Sequence, residues 1–121
     1  MNFLFVFIGG GLGAMARYGM TKISPAPESG FPLATFLTNI LSCIVLGFLI
    51  GYLVQKSMTE RSQLVFMTGF CGGFSTFSTF SAETFRLMEN GQTGLAISYV
   101  IASVIISLLA IFCGMKLVSL V

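Results

Sequence analysis

The central segment of the chain reads Gly69-Phe70-Cys71-Gly72-Gly73-Phe74-Ser75-Thr76-Phe77-Ser78-Thr79-Phe80-Ser81. Phenylalanine recurs at every third position from 74 to 80, serine does so from 75 to 81, and threonine stands between them. The segment lies in the uncharged stretch 62–82, which is long enough for a helix that crosses a membrane. The adjacent Gly72 and Gly73 fall near its middle, and each weakens a helix by about 1 kcal/mol relative to alanine. We therefore predict a membrane-spanning helix that is broken at mid-membrane.

The composition supports a membrane protein and excludes several other classes. Charged residues make up 8% of the chain and hydrophobic residues 55%, whereas a soluble domain carries about a quarter charged residues. The absence of histidine and aspartate removes histidine-based acid–base catalysis, imidazole metal ligands and paired-aspartate chemistry, and we expect no enzymatic activity. A net charge of +2 is too small for a protein that binds nucleic acid. The sequence predicts a small, all-α integral membrane protein.

The charged residues divide the chain into four predicted helices, roughly 2–20, 31–54, 59–87 and 93–119, within a single domain over 1–121. The first uncharged stretch ends early, at Arg17, so this side chain must reach an interface or lie inside the protein at a functional position. No positive charge precedes the first apolar run, and we therefore expect no cleaved signal peptide.

Small residues inside the predicted helices indicate close packing. Gly9 and Gly13, like Gly47 and Gly51, are spaced four apart, which lets two helix backbones approach in a membrane. The cysteines form no C-x-x-C pair and are predicted to be free, buried thiols: Cys43, Cys71 and Cys113.

Positive charge is balanced between the two ends of the predicted bundle. The side with both termini carries Lys56, Arg61 and Lys116. The opposite side carries Arg17, Lys22 and Arg86. Because positive loop charge sets orientation, this balance favours insertion both ways and an antiparallel two-fold dimer. The alternative is that one dominant loop fixes a single orientation.

The polar groups around the predicted break are uncharged. They are hydroxyls, the amide of Asn39 and the electropositive edges of aromatic rings. Such groups replace part of the water shell of a small anion without holding it irreversibly, as a channel requires. Backbone carbonyls freed at the break could hold a small cation. The alternative interpretation is simple packing, with the hydroxyls bonded to carbonyls one turn earlier. Glu83 and Arg86, three residues apart, are expected to pair at an interface.

At these residues the sequence closely resembles the Fluc family of microbial fluoride channels. The resemblance covers the full length, and the third of its three segments is the most specific. The segments are Gly10-Gly11-Leu12-Gly13-Ala14-Met15-Ala16-Arg17-Tyr18, Thr35-Phe36-Leu37-Thr38-Asn39 and the central segment 69–81. The family typically has threonine where this chain has Ser75, which keeps both the hydroxyl and the backbone carbonyl.

The resemblance implies an antiparallel, dual-topology homodimer of four-helix subunits with two pores, embedded as a multi-pass protein in the bacterial inner or plasma membrane. It implies passive efflux of cytoplasmic fluoride, which reduces fluoride toxicity. The residues that it places on the fluoride path are Phe77, Phe80, Asn39, Ser78, Thr79, Tyr99, Ser103, Ser107 and Glu83. The spacing of Tyr99, Ser103 and Ser107 also puts them on one helical face.

Two further sites follow from the resemblance. Arg17 would lie in a vestibule at the mouth of the pore. A structural sodium ion would lie at the centre of the dimer, held by the backbone carbonyls of Gly72 and Ser75 from both subunits.

Two other functional classes remain open. A small proton-coupled drug exporter also has four helices, but it needs a titratable carboxylate in its substrate chamber, and the first predicted helix has none. A non-transporting assembly subunit would give no ion flux in liposomes.

Overall fold

The computed structural model describes residues 1–120, which are helical throughout apart from short connections and contain no strand. Helix α1 covers Asn2–Ile23 and α2 covers Leu33–Lys56. A segment then follows in four pieces: α3 (Glu60–Ser62), a π-helix (Gln63–Cys71), α4 (Gly72–Phe74) and α5 (Phe77–Glu89). Helix α6 covers Thr93–Leu117 and continues into a 3₁₀ turn, Val118–Leu120.

Three of these helices are long and apolar enough to cross a membrane: α1, α2, and α6 with its 3₁₀ extension. The third span predicted from the sequence, 59–87, is divided into shorter pieces, so the four-span arrangement stays a prediction. The last residue of the predicted domain, Val121, lies outside the described residues. Large apolar side chains are exposed along α1 and α6, as expected of surfaces that face lipid or another subunit: Phe3, Phe7, Leu108 and Phe112.

The break in the central segment lies at Ser75 and Thr76, not at Gly72 and Gly73 as predicted. Both glycines are helical in α4, whereas Ser75 has ψ 160° and Thr76 has φ −153°, which are extended conformations. The Ser75 hydroxyl donates to the carbonyl of Cys71, at 2.8 Å. The Thr76 hydroxyl accepts from the Thr79 N–H at 3.2 Å and so caps α5. The hydroxyls, by bonding to the backbone, place the break three residues later than the glycines would.

The predicted packing role of the spaced glycines is confirmed. A Cβ added at Gly9 or Gly13 would overlap the backbone oxygens of Val65 or Phe70 in the π-helix. Similarly, a Cβ at Gly47 would overlap the backbone of α6. Two pairs therefore pack backbone to backbone: α1 on the π-helix and α2 on α6.

The buried core lies where α5 and α6 meet. Leu87, Ala96 and Tyr99 are buried there and are surrounded by partly buried rings, including Phe31 and Phe80. The cysteines are free, but only Cys71 is buried as predicted, since Cys43 is half-buried and Cys113 is exposed.

Candidate functional site

A groove of about 270 Å³ lies beside the break, between α2, the start of α5 and α6. No charged side chain of residues 1–120 lines its walls. Hydroxyls, one amide, two phenyl rings and one thiol line it, in the residues Asn39, Cys43, Ser75, Thr76, Phe77, Phe80, Ser103, Val104 and Ser107. Five of the side chains predicted on the fluoride path therefore come together here: Asn39, Phe77, Phe80, Ser103 and Ser107.

The Asn39 amide holds the extended backbone of the break. Its Oδ1 accepts from the Thr76 N–H at 2.8 Å, and its Nδ2 donates to the Thr76 carbonyl at 3.2 Å. The two bonds satisfy backbone groups that the interrupted helix leaves without their usual partners. The second hydrogen of Nδ2 remains available to a ligand, because an amide nitrogen has two donor hydrogens.

The rings of Phe77 and Phe80 lie side by side along the groove. Their centroids are 5.8 Å apart, and the rings are tilted by 38°. Phe80 is anchored in the core, with its centroid 5.0 Å from that of Tyr99. Phe77 is 79% exposed, so one chain alone covers only one of the two rings.

Ser103 and Ser107 bring hydroxyls to the α6 wall of the groove, one helical turn apart. Ser103 is only 8% exposed. Its Oγ is buried and has no hydrogen-bond partner among the described residues. An unpaired buried hydroxyl costs about 1–3 kcal/mol, so a polar partner for Ser103 would stabilise this wall of the groove.

The third member of that predicted stripe, Tyr99, lies outside the groove. It is 0% exposed, and its hydroxyl donates to Glu83 Oε2 at 3.0 Å. The Thr35 hydroxyl donates to Glu83 Oε1 at 2.7 Å. The Glu83 carboxylate thus binds two buried side chains, and the expected pair with Arg86, which is exposed, is not formed.

A second cavity, of about 230 Å³, lies between α1, α2 and the start of α5. The predicted vestibule residue Arg17 lines it, together with five threonines: Thr21, Thr35, Thr38, Thr76 and Thr79. Thr76 lines both this cavity and the groove. The predicted path residue Thr79 lies here, while the exposed Ser78 lines neither space and has its Oγ 3.4 Å from that of Thr76.

The backbone carbonyls of Gly72 and Ser75 are chemically suitable as cation ligands. Within residues 1–120 neither carbonyl accepts a hydrogen bond, because the Thr76 N–H and the Thr79 N–H bond to side chains instead. A Cβ at Gly72 would meet nothing within 4 Å, so this side of α4 is open to an ion or a second chain. Carbonyl oxygens are suitable ligands for a hard cation.

The sequence reasoning assigned no role to Thr35 and Thr76, which the structure places at the centre of the site. Thr35 stands four residues before Asn39, and this spacing puts both on one face of α2. Thr76 stands three residues before Thr79, a spacing typical of a helix N-cap. Both signals were present in the sequence.

The sequence of this chain is similar to those of known proteins. The family model described as CrcB-like protein, Camphor Resistance (CrcB), matches residues 4–115. A protein named fluoride-specific ion channel FluC 2, from Nitrobacter hamburgensis, is 43% identical over 120 residues, covering 98% of this chain and 97% of the relative. Fluoride-specific ion channel FluC from Pyrococcus abyssi is 45% identical over 112 residues, which cover 92% of this chain and 90% of the relative. The protein of the same name from Francisella philomiragia is 38% identical over 116 residues, which cover 92% of this chain and 89% of the relative.

Proposed function

This chain belongs to the CrcB-like family, and on that premise we propose that it is a fluoride-selective ion channel. The relatives that carry the name fluoride-specific ion channel match it over nearly their whole length. The three apolar helices and these relatives indicate a multi-pass membrane protein.

The groove carries this proposal. Its polar groups are neutral, so an anion that enters meets hydrogen-bond donors and two aromatic rings, whose edges are electropositive, but no fixed charge that would trap it. The unpaired hydroxyl of Ser103 offers one such donor. A small, strongly hydrated anion gains most from these donors, because its charge is concentrated and its hydrogen bonds are short.

Passive conduction is enough to lower fluoride in a cell. Hydrogen fluoride crosses a membrane as a neutral acid and dissociates inside, where the anion is then held. A membrane potential that is negative inside drives the anion outward with about 2.3 kcal/mol per 100 mV. A fluoride-selective leak therefore removes fluoride without a coupled energy source.

An antiparallel homodimer would complete the site. Phe77 is mostly exposed in one chain, and Gly72 faces open space. A second copy of opposite orientation would cover both and give two equivalent paths. The carbonyls of Gly72 and Ser75, two from each copy, would then hold a sodium ion whose role is to fix the dimer.

The test is fluoride efflux from liposomes that contain the purified protein and potassium fluoride. Because the proposed movement carries charge, efflux should begin when valinomycin lets potassium follow and should be slow without it. A fluoride electrode measures both rates. Valinomycin-independent efflux at the full rate would contradict passive conduction of the bare anion.

The hydrogen-bonded Glu83 keeps the proton-coupled exporter as a second candidate. This carboxylate lies inside the protein rather than at an interface, as an exporter's titratable group would. Glu83→Gln replaces the titratable carboxyl group by an amide and keeps the size of the side chain. Coupled export would stop in this variant, whereas passive fluoride efflux should continue to respond to valinomycin.

A further inference from the structure

Cys43 is the one thiol on the wall of the groove. It lies on α2 four residues after Asn39, and therefore one turn along the same helical face. The side chain is half-buried, while Cys71 is buried and Cys113 is exposed on α6 away from the groove. The three thiols thus occupy three different environments.

The groove beside Cys43 contains a polar group without a partner among the described residues. The hydroxyl of Ser103, which lines the same groove, is buried and unpaired, and an unpaired buried hydroxyl is normally satisfied by water or a ligand. Among residues 1–120 no charged side chain lines the groove, so a bulky charged reagent finds no ion-pair partner there, and small neutral molecules enter at lower cost.

We infer that Cys43 is a modification site for small, uncharged thiol-reactive molecules, and that an adduct there obstructs ion movement. This inference rests on the proposed function, since it takes the groove as the ion path. With methyl methanethiosulfonate, the Cys43 thiolate attacks the reagent's sulfenyl sulfur. A new S–S bond forms, the reagent's S–S bond breaks, methanesulfinate leaves, and the thiol proton passes to water. The result is a methylthio group that projects into the groove.

The experiment treats the full-length protein in liposomes with methyl methanethiosulfonate and measures two things. Peptide mass spectrometry identifies the labelled cysteine, and the fluoride electrode gives the efflux rate before and after treatment. We expect labelling at Cys43 and efflux that is at least about tenfold slower, which corresponds to about 1.4 kcal/mol in the barrier. Dithiothreitol, which reduces the mixed disulfide, should restore the rate.

Two variants separate the thiols, each compared with its own untreated rate. Cys113→Ala should remain sensitive to the reagent, and Cys43→Ala should be insensitive. Unlabelled Cys43 alongside labelled Cys113 would overturn the inference, because the groove would then be closed to the reagent. Labelled Cys43 with unchanged efflux would overturn it too, since the groove would not be the path. Absence of efflux before treatment counts against the proposed function itself, and the labelling result still decides whether the thiol is reachable.

Discussion

At the scale of single residues, the Glu83 carboxylate connects three helices. It lies on α5, accepts from Thr35 of α2 at 2.7 Å and accepts from Tyr99 of α6 at 3.0 Å. An unpaired carboxylate is costly in apolar surroundings, and these two hydroxyls supply partners without adding a charge. The link holds α5 in register with α2 and α6, the three helices that form the groove.

Tyr99→Phe should destabilise the fold, because one carboxylate oxygen of Glu83 loses its donor. A hydrogen bond to a charged group contributes about 1.5–3 kcal/mol, and we expect a loss in that range. Unfolding in detergent, followed by circular dichroism during denaturant titration, measures it. Tyr18→Phe is the matched control, since Tyr18 is exposed and its change should have little effect. Equal stability of the two variants would contradict the link.

This link shows what local sequence reasoning can and cannot reach. The spacing of Ser103 and Ser107 predicts their shared face, because helix periodicity is local. The partners of Glu83 stand 48 and 16 residues away in the sequence, so they follow only from helix packing. Sequence spacing therefore suggested a pair with the nearby Arg86, which the fold does not form.

At the scale of helices, glycines determine how closely α1 and the π-helix approach. Gly13 lies against the backbone of Phe70 and Phe74, and a Cβ there would overlap it. A Cβ added at Gly11, two residues earlier on the same helix, would meet nothing within 4 Å. The contact is therefore specific to one face of α1.

Gly13→Ala should destabilise the protein by about 1–3 kcal/mol, because the added methyl meets backbone atoms that cannot rotate away. Gly11→Ala adds the same methyl in open space and should be neutral or stabilising by up to about 1 kcal/mol. The same denaturant titration compares the two. If both variants lose stability equally, the effect is not one of helix contact.

The broken segment illustrates the limit of propensity rules. Two adjacent glycines predicted that a break exists in this region but placed it at 72 and 73. In the structure Ser75 and Thr76 adopt the extended conformation, and the Asn39 amide and the Thr76 hydroxyl replace the missing backbone partners. Competition between side chains and the backbone for hydrogen bonds decides the position of the break. The Asn39 amide that takes part lies on another helix, α2, so local propensity cannot predict it.

At the scale of the whole molecule, one chain leaves part of the groove and of α4 uncovered. Helices α2, α5 and α6 of the one chain form the walls of the groove, but Phe77 and the open side of Gly72 face outward. Composition alone predicted a helical membrane protein, because 8% charged residues cannot cover a water-facing surface. The proposed antiparallel copy would complete the site, and balanced loop charge is its support in the sequence.

The most direct test of the neutral groove as a fluoride path is the ratio of fluoride to chloride efflux. Liposomes from one preparation are loaded with potassium fluoride or potassium chloride, and valinomycin starts both measurements. Donors and ring edges that replace a compact water shell should favour fluoride by at least about a hundredfold, which equals about 2.7 kcal/mol in the barrier. Chloride efflux at a comparable rate would contradict the account.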